Sequence, residues 1–288
     1  MAVVLEEFKT SVKPTWCPGC GDFGVMNALG RAVASLGIPG HEVVVVSGIG
    51  CSGKISQHFG AYGIHTLHGR VLPTATAVKV ANRSLTVIAA GGDGDGYGIG
   101  VGHLVHAARR NVDITYVVMD NHIYGLTTGQ TSPTSDPGMA TKTHPRGAFE
   151  EPVHPLALAI VSGATFVAQG FSGDVNGLAR ILAEAIRHPG FALVNVFSPC
   201  VTFNKVNTYA WYRESLTSVD GDPDYDPSDR MAALSRIEAT RGLVTGILYR
   251  SRRPTFESQL PGLGEKPLAV LPAGLSGEDL EDLLAEFE

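Results

Sequence analysis

Residues 88–130 read IAAGGDGDGYGIGVGHLVHAARRNVDITYVVMDNHIYGLTTGQ, and the reading of this stretch decides the fold. An apolar run over 84–90 ends in glycines and passes into a Gly-rich segment that carries Asp93 and Asp95. A second apolar run, 114–119, ends in Asp120-Asn121. Two short, uniformly apolar runs joined by a segment of helical length predict neighbouring parallel strands of a β-α-β unit. Ligands of such sheets sit at the carboxyl ends of the strands, where Asp93 and Asn121 both emerge. A carboxylate and an amide oxygen are therefore expected side by side, over a helix N-terminus supplied by residues 94–102.

The glycines suggest a phosphate site, but no register from Gly91 to Gly102 fits the dinucleotide fingerprint G-x-G-x-x-G. A bare aspartate in a phosphate-cradling turn would repel a diphosphate unless a divalent cation lay between them. Mg²⁺ takes about six oxygens in a near-octahedral set, with one or two carboxylates beside substrate phosphates. Asp93, the Asn121 side-chain oxygen, one backbone carbonyl just beyond it, diphosphate oxygens and a water would complete that shell. Here the sequence resembles the thiamine-diphosphate enzymes, whose signature is GDG, a spacer, and then an N preceded by N or D. It stands in this chain as Gly92-Asp93-Gly94 and Asp120-Asn121. The resemblance implies Mg²⁺ ligands at Asp93, Asn121 and the carbonyl of Ile123.

With 288 residues the chain has room for one large α/β domain and a smaller appendage. A net charge of −6 without a basic cluster argues against nucleic acid as a partner. No apolar run approaches the ~20 residues of a membrane span. Glu6 and Glu7 fall where a signal peptide would keep its apolar core, so the protein is expected in the cytoplasm, away from membranes.

Taken in order, Trp16-Cys17-Pro18-Gly19-Cys20-Gly21-Asp22 leads into a helical pattern at Phe23, Met26, Leu29, Val33 and Leu36, with Asp22 as the expected N-cap. A strand over 43–47 ends in Gly48-Ile49-Gly50-Cys51-Ser52-Gly53-Lys54. A Gly- and His-containing loop with Leu67-His68-Gly69-Arg70 follows, and Pro73 opens a helix through Ala81. The polar loop 131–150 is too long for a bare connection and is expected to be functional. Helix–strand pairs then fall at 155–162 with 165–168 and at 174–187 with 192–196. Five strands alternating with helices argue for a doubly wound parallel sheet of the α/β class.

Past Cys200 the character changes. Tyr209, Trp211 and Tyr212 form an aromatic knot, followed by Asp220, Asp222, Asp224, Asp226 and Asp229. An EF-hand begun at Asp220 would need Gly where Tyr225 stands and Glu where Met231 stands, so a solvated loop is the better reading. Pro254, Pro261, Pro267 and Pro272 break the final stretch, and an amphipathic helix is expected near 278–286. The expected organisation is an α/β domain over 1–205 and an extension over 206–288 that lacks its own core and wraps a partner subunit.

The four cysteines are Cys17, Cys20, Cys51 and Cys200. A lone C-x-x-C is weak evidence, and the cytoplasm disfavours structural disulfides. Cys51 and Cys200, however, follow the carboxyl ends of the first and last expected strands, and Cys17-x-x-Cys20 precedes the first helix. Four thiolates at one sheet edge suit a [4Fe–4S] cluster or tetrahedral zinc, and ligand count does not separate them.

WCPGCGDFG, GIGCSGK, LHGRVLPTATAVKVAN, GGDGDGYGIG, DNHIYGLTTGQTSPTS and SPCVTFN together resemble the β subunit of the 2-oxoacid:ferredoxin oxidoreductases, over roughly residues 12–215. The resemblance implies a [4Fe–4S] cluster on Cys17, Cys20, Cys51 and Cys200, close to thiamine diphosphate. It further implies cofactor contacts at Ile49, Gly50, Cys51, Ser52, His68, Gly69, Gly94, Asp95, Gly125 and Leu126. The implied reaction is CoA-dependent oxidative decarboxylation of a 2-oxoacid, or its reverse, with ferredoxin as electron partner. The cofactor carries the hard chemistry and the protein places it.

Thiamine enzymes need a glutamate from a pyrimidine-binding domain, for which this chain has no room. The resemblance assigns that glutamate and the CoA surface to an α subunit in a dimer of αβ heterodimers, and predicts that the chain alone is inactive. Lys54, beside Cys51, is the residue expected near the 2-oxoacid, with Leu126 shaping the pocket and His68 donating on the cofactor side. Lys142 and Arg146 in the 131–146 segment could meet a second carboxylate, which favours 2-oxoglutarate over pyruvate. Competing expectations are a non-redox thiamine decarboxylase or synthase and a cofactor-free interaction subunit.

Overall fold

Val43–Ser47 (β1) is a run of β-branched residues and one serine, every one of them buried. Branched side chains pack well on a pleated surface, and a strand buried on both faces belongs inside a sheet covered on both sides. Its side chains divide with the period of two that a strand imposes. Val44 and Val46 enter one apolar cluster, Val43 and Val45 the other.

The computed structural model describes residues 3–260 and 266–271, together with Gly274, Gly277, Glu281, Leu284 and Ala285. The remaining strands are Tyr62–His65 (β2), Thr86–Gly92 (β3), Thr115–Asp120 (β4), Ile123–Tyr124 (β5), Gln130–Thr131 (β6), Phe166–Phe171 (β7), Ala192–Phe197 (β8), Thr217–Ser218 (β9) and Val244–Arg250 (β10). The helices are Asp22–Ser35 (α1), Ile55–His58 (α2), Val71–Ala81 (α3), Val101–Arg110 (α4), Pro155–Val161 (α5), Val175–Arg187 (α6), Tyr209–Ser215 (α7) and Arg230–Ala239 (α8).

The main sheet runs β2-β1-β3-β4-β8-β7-β10-β9. It is parallel from β2 to β7, and β10 joins it antiparallel to β7. Helices α1 and α6 cover one face, through residues such as Leu29, Val33, Leu178 and Leu182. The other face carries α3, α4, α5 and α8, through Leu72, Leu104, Ile160 and Ile237 among others. This is the doubly wound α/β fold expected. The chain steps outward from β1 to β2 and then returns to β3 on the other side. The crevice over the carboxyl ends of β1 and β3 is therefore a topological switch point, where such sheets bind ligands.

Helix α6 shows how sequence sets the layers. Asp174 caps it by accepting from the Gly177 N–H at 3.0 Å, and Leu178, Ile181, Leu182 and Ala185 recur at helical spacing and are buried. Replacing Leu178 by alanine removes a fully buried side chain, at a cost of about 2–5 kcal/mol.

Several expectations need correction. Asp22 is not the N-cap: Gly21 precedes the helix, and the buried Asp22 carboxylate accepts instead from the Ser198 hydroxyl at 2.9 Å. Helix α3 begins at Val71, so Pro73 lies inside its first turn, where a missing N–H costs nothing. The chain beyond residue 205 does not stand apart, because β9 and β10 extend the same sheet and α8 packs on it. That attachment is tied down by Asn111, whose Nδ2 donates to the carbonyls of Arg253 and Pro254, and by the buried Glu257, which accepts from the Asp113 N–H at 2.7 Å. The acidic run is also more than a solvated loop. Asp222 pairs with Arg236 at 2.9 Å, Asp220 with Arg180, and Asp229 caps α8. The expected closing helix over 278–286 lies largely outside the described residues. Among the described residues no helix is long and apolar enough to cross a membrane.

Candidate active site

Three segments meet over the switch point and are held by one carboxylate. Asp95 Oδ1 accepts from the Ile49 N–H at 3.0 Å, in the loop after β1, and from the Gly69 N–H at 2.9 Å, in the loop before α3. His68 Nδ1 lies 3.3 Å from the same oxygen, and its ring faces Tyr124 with centroids 6.3 Å apart. Burial pushes the Asp95 carboxyl up, and the two backbone donors draw it back down. Gly48 is required here: a Cβ on it would sit 2.1 Å from Asp95 Oδ2. Asp95 itself rides on a wide π-helical turn, Gly94–Ile99, that joins β3 to α4. Such turns break the regular ladder and recur at functional sites. Gly94 lets the Tyr124 ring lie against the turn, where Tyr124 Oη donates to the Gly94 carbonyl at 3.0 Å.

Beside this turn lies a buried acid pair. Thr134 Oγ1 is 2.7 Å from Asp93 Oδ2 and 2.8 Å from Asp120 Oδ1. A hydroxyl has one proton, so it can satisfy only one of the two carboxylates at a time. The other needs a proton of its own or a cation. Burial, then the Asp120 charge, push the Asp93 carboxyl up to about 7. Below the pair, Asn195 Nδ2 donates to Asp120 Oδ2 and Gln169 Oε1, and Tyr97 Oη donates to Asn195 Oδ1. This network fixes Asp120 in place, while Asp93 is the residue that immediately precedes the glycine-rich turn.

After Asp120 the chain turns sharply. Asn121 Oδ1 accepts from the Ile123 N–H at 3.0 Å, and the buried His122 between them takes the left-handed φ of 60°. Ile123–Tyr124 then pair with Gln130–Thr131 in a short hairpin. Its outer part carries Gly125 and the half-exposed Leu126.

The cysteines approach this hairpin from the other side. A Cβ built on Gly125 would lie 3.5 Å from Cys200 Sγ and 3.7 Å from Cys51 Sγ. Cys20 is in electrostatic contact with Cys51 and Cys200, and Cys51 with Cys200 and Cys17. All four are free thiols, with Cys17 exposed and the others partly buried. Burial, then the Asp22 charge, push the Cys20 thiol far above the usual range. The same causes raise Cys51 to about 11, against the pull of the Lys54 ammonium. The nest is braced by the Trp16 indole, which donates to the Cys51 carbonyl at 2.7 Å, and by the Gly21 N–H, which donates to the Pro199 carbonyl at 3.1 Å. Asp22, pushed up to about 6 by its burial, sits beside Cys20 with Ser198 and Lys54 as neighbours.

Among the described residues no three His, Cys, Asp or Glu side chains converge as the ligands of a single ion do. The donor sets expected from sequence are of another kind. One is a single carboxylate with an amide and a backbone oxygen, to be completed by a ligand's own oxygens. The other is four crowded thiols, a set that a soft cationic group would draw down to thiolates. In donor chemistry the first set suits Mg²⁺ and the second an iron–sulfur cluster. Sequence reasoning missed Thr134, the buried role of Asp120, the Asn195 support and the Asp22–Ser198 clasp. Only Thr134 had a signal, as part of the polar loop too long to be idle.

Residues 48–196 match the family model of the thiamine pyrophosphate enzyme C-terminal TPP-binding domain. Residues 200–265 match the model for the C-terminal part of the β chain of pyruvate ferredoxin oxidoreductase. A Sulfolobus protein named 2-oxoacid:ferredoxin oxidoreductase subunit beta is 51% identical, over 93% of this chain and 90% of that one. Its Saccharolobus solfataricus namesake is 44% identical over 94% and 95%. The 2-oxoglutarate oxidoreductase subunit KorB of Mycobacterium tuberculosis is 41% identical over 69% of this chain and 53% of its own length. Among solved structures, the 2-oxoglutarate:ferredoxin oxidoreductase from Magnetococcus marinus, with 2-oxoglutarate, coenzyme A and succinyl-CoA bound, superposes with a TM-score of 0.90 at 44% identity. The superposition covers 99% of this chain and 96% of that one.

Proposed function

Because this chain belongs to the family of 2-oxoacid:ferredoxin oxidoreductase β subunits, we propose that, with an α subunit, it converts 2-oxoglutarate and CoA to succinyl-CoA and CO₂, or runs the reverse. Cys17, Cys20, Cys51 and Cys200 would hold a [4Fe–4S] cluster, which would supply the one-electron path to ferredoxin. The observation that carries this reading is the hairpin at Gly125. One side of it follows directly from Asp120, and the other brings Gly125 so near Cys51 and Cys200 that an added Cβ would be in van der Waals contact with both sulfurs. A diphosphate anchor and a thiol nest thus share one short loop.

When bound, thiamine diphosphate supplies the carbon nucleophile that loosens the carboxylate of a 2-oxoacid, and the cluster takes up the electrons singly. The chain's own residues do the rest. Asp93, the Asn121 side-chain oxygen and the Ile123 carbonyl would hold Mg²⁺, and the N–H groups that open the 94–99 turn would receive the diphosphate. Ile49, Gly50, Ser52, Gly69, Gly94, Gly125 and Leu126 line the cofactor. Asp95 ties Ile49 and Gly69 to that turn, so the loops that line the cofactor keep one spacing. His68 lies beside Asp95 and would turn its ring toward the cofactor. Lys54 places an ammonium next to Cys51, where it meets a substrate carboxylate. Lys142, whose ammonium donates to Thr128 Oγ1 at 2.8 Å, and Arg146 lie exposed on the loop over the hairpin. They supply the charge that a second carboxylate requires. The glutamate that activates the cofactor and the CoA surface come from the α subunit, in a dimer of αβ heterodimers, and the enzyme works in the cytoplasm.

The test is co-purification with the α subunit and a panel of 2-oxoacids with CoA and ferredoxin. Preference for 2-oxoglutarate is expected, with no turnover by the β chain alone. Cys51→Ala should stop ferredoxin reduction while slow CO₂ release persists. Undiminished acyl-CoA formation coupled to ferredoxin in that variant would sink the assignment. Preference for pyruvate would leave the reaction class standing and move the substrate.

A further inference from the structure

The turn Ser132-Pro133-Thr134-Ser135 is polar, yet Ser132, Thr134 and Ser135 are only 5%, 4% and 3% exposed. Hydroxyls so far from water need partners. The Ser132 N–H donates to Ser135 Oγ at 2.9 Å, and Ser135 Oγ donates to the His122 carbonyl at 2.6 Å. Pro133 lies against the glycine-rich turn, where a Cβ on Gly98 would come 3.3 Å from Pro133 Cγ. The Pro133 carbonyl accepts from the Val153 N–H at 2.8 Å. The segment is thus pinned to the chain after β4, to the π-helical turn and to the approach to α5.

From this fixed segment Thr134 points inward, with Oγ1 between Asp93 Oδ2 at 2.7 Å and Asp120 Oδ1 at 2.8 Å. The two acids do not depend on it equally. Asp120 also receives Asn195 Nδ2 at 3.2 Å on Oδ2 and the His122 N–H at 3.4 Å on Oδ1. Among the described residues, the donors that reach the Asp93 carboxylate are hydroxyls of this turn, Thr134 and Ser132 beside it. Asp93 is therefore the acid whose direction Thr134 decides. Threonine suits that task, because its branched Cβ restricts χ1 and keeps the hydroxyl on one line.

We propose that Thr134 is the positioning residue of the metal site: its hydroxyl donates to Asp93 Oδ2 and so aims Oδ1 of the same carboxylate at the divalent cation. The proposal rests on the function given above, which makes Asp93 a Mg²⁺ ligand, and adds what holds that ligand in line. A carboxylate that binds a metal through one oxygen is oriented by a hydrogen bond to the other. The cation in turn supplies the positive charge that the crowded second acid, Asp120, requires. Thr134 touches neither substrate nor cofactor and acts only through Asp93.

The experiment uses the assembled αβ enzyme, freed of divalent metal and supplied with thiamine diphosphate. Mn²⁺ is the probe, because the spin-resonance signal of the free ion disappears on binding and reads affinity without turnover. Unaltered enzyme is compared with Thr134→Val, Thr134→Ala and Thr134→Ser. Losing a group that orients a metal ligand costs about 10–100-fold in metal affinity, and that loss is expected for the valine and alanine variants alike. Thr134→Ser keeps the hydroxyl and should hold Mn²⁺ to within a few-fold of the unaltered enzyme. A residue that merely filled space would give another ranking, with valine tight and serine and alanine weak. That ranking, or undiminished Mn²⁺ binding without the hydroxyl, would overturn the proposal. Should Thr134→Val fail to assemble, Thr134→Ala set against Thr134→Ser decides alone. If the unaltered enzyme bound no Mn²⁺ beside thiamine diphosphate, the reading of Asp93 as a metal ligand would itself fail and take the role of Thr134 with it.

Discussion

Replacing Asp93 by asparagine should stabilise the metal-free protein while destroying its cofactor site, and the size of the gain follows from the structure. Asp93 is 2% exposed and shares the Thr134 hydroxyl with Asp120. Its carboxyl rises from an ordinary 3.8 to about 7, through burial first and the Asp120 charge second. A carboxyl held above its unfolded value binds its proton more tightly in the fold. Stability from this group is therefore full below pH 4 and is lost as pH climbs toward 7. The whole rise corresponds to roughly 4 kcal/mol above pH 7, shared with Asp120, so a gain of about 2–4 kcal/mol is expected for the variant. The new amide oxygen can accept from Thr134, and the variant carries no charge to repel Asp120. For a chain of this size that is about 3–7 °C in Tm. Thermal unfolding in chelator from pH 4.5 to 8.5 should show the two proteins converging at the acid end and separating by pH 8. Adding Mg²⁺ and thiamine diphosphate to the αβ complex should reverse the order, raising the Tm of the unaltered protein only. Parallel curves across pH, or equal cofactor-induced stabilisation, would refute the placement of Asp93 as a metal ligand held ready at a cost to the fold.

Gly125→Ala tests the thiol nest. The added methyl meets Cys200 and Cys51 at ordinary van der Waals distance, so Tm of the cluster-free chain should stay within a few degrees. Iron content and visible absorbance of the assembled enzyme should fall severalfold, and full iron loading would count against a cluster at that place. His188 is pushed down to about 4, by burial first and the Arg250 charge second. Its stabilising neutral form is secure above pH 6.5, and that contribution is lost as pH falls through about 4. His188→Gln, which keeps a partner for Thr165, should flatten the acid limb of the Tm–pH curve; an unchanged limb would assign the loss to other groups.

The central strands were readable because they are buried on both sides. β1, β3, β4, β7 and β8 are short apolar runs whose ends fall on glycine, Asp-Asn or Ser-Pro. β2 escaped because an edge strand needs no apolar run; YGIH is mostly exposed. β10 escaped because Gly246, at φ 115°, and a bulge between Ile247 and Tyr249 break its alternation. The site divides the same way. Asp93 and Asn121 stand in a motif with fixed spacing, so their ladder positions could be deduced. Thr134 and Asn195 act only through distant partners, and nothing local in a threonine or asparagine announces that.

The clasp between Asp22 and Ser198 joins residues 176 positions apart. Contacts of such sequence separation form late, because the entropy of closing the intervening chain must be met before they give anything back. The thiols that flank this clasp can therefore gather only after the sheet between them is in place. Metal loading would follow folding rather than nucleate it, the reverse of small zinc modules in which the ion organises the chain. A cell making this protein would then need iron and sulfide delivered to an already folded subunit.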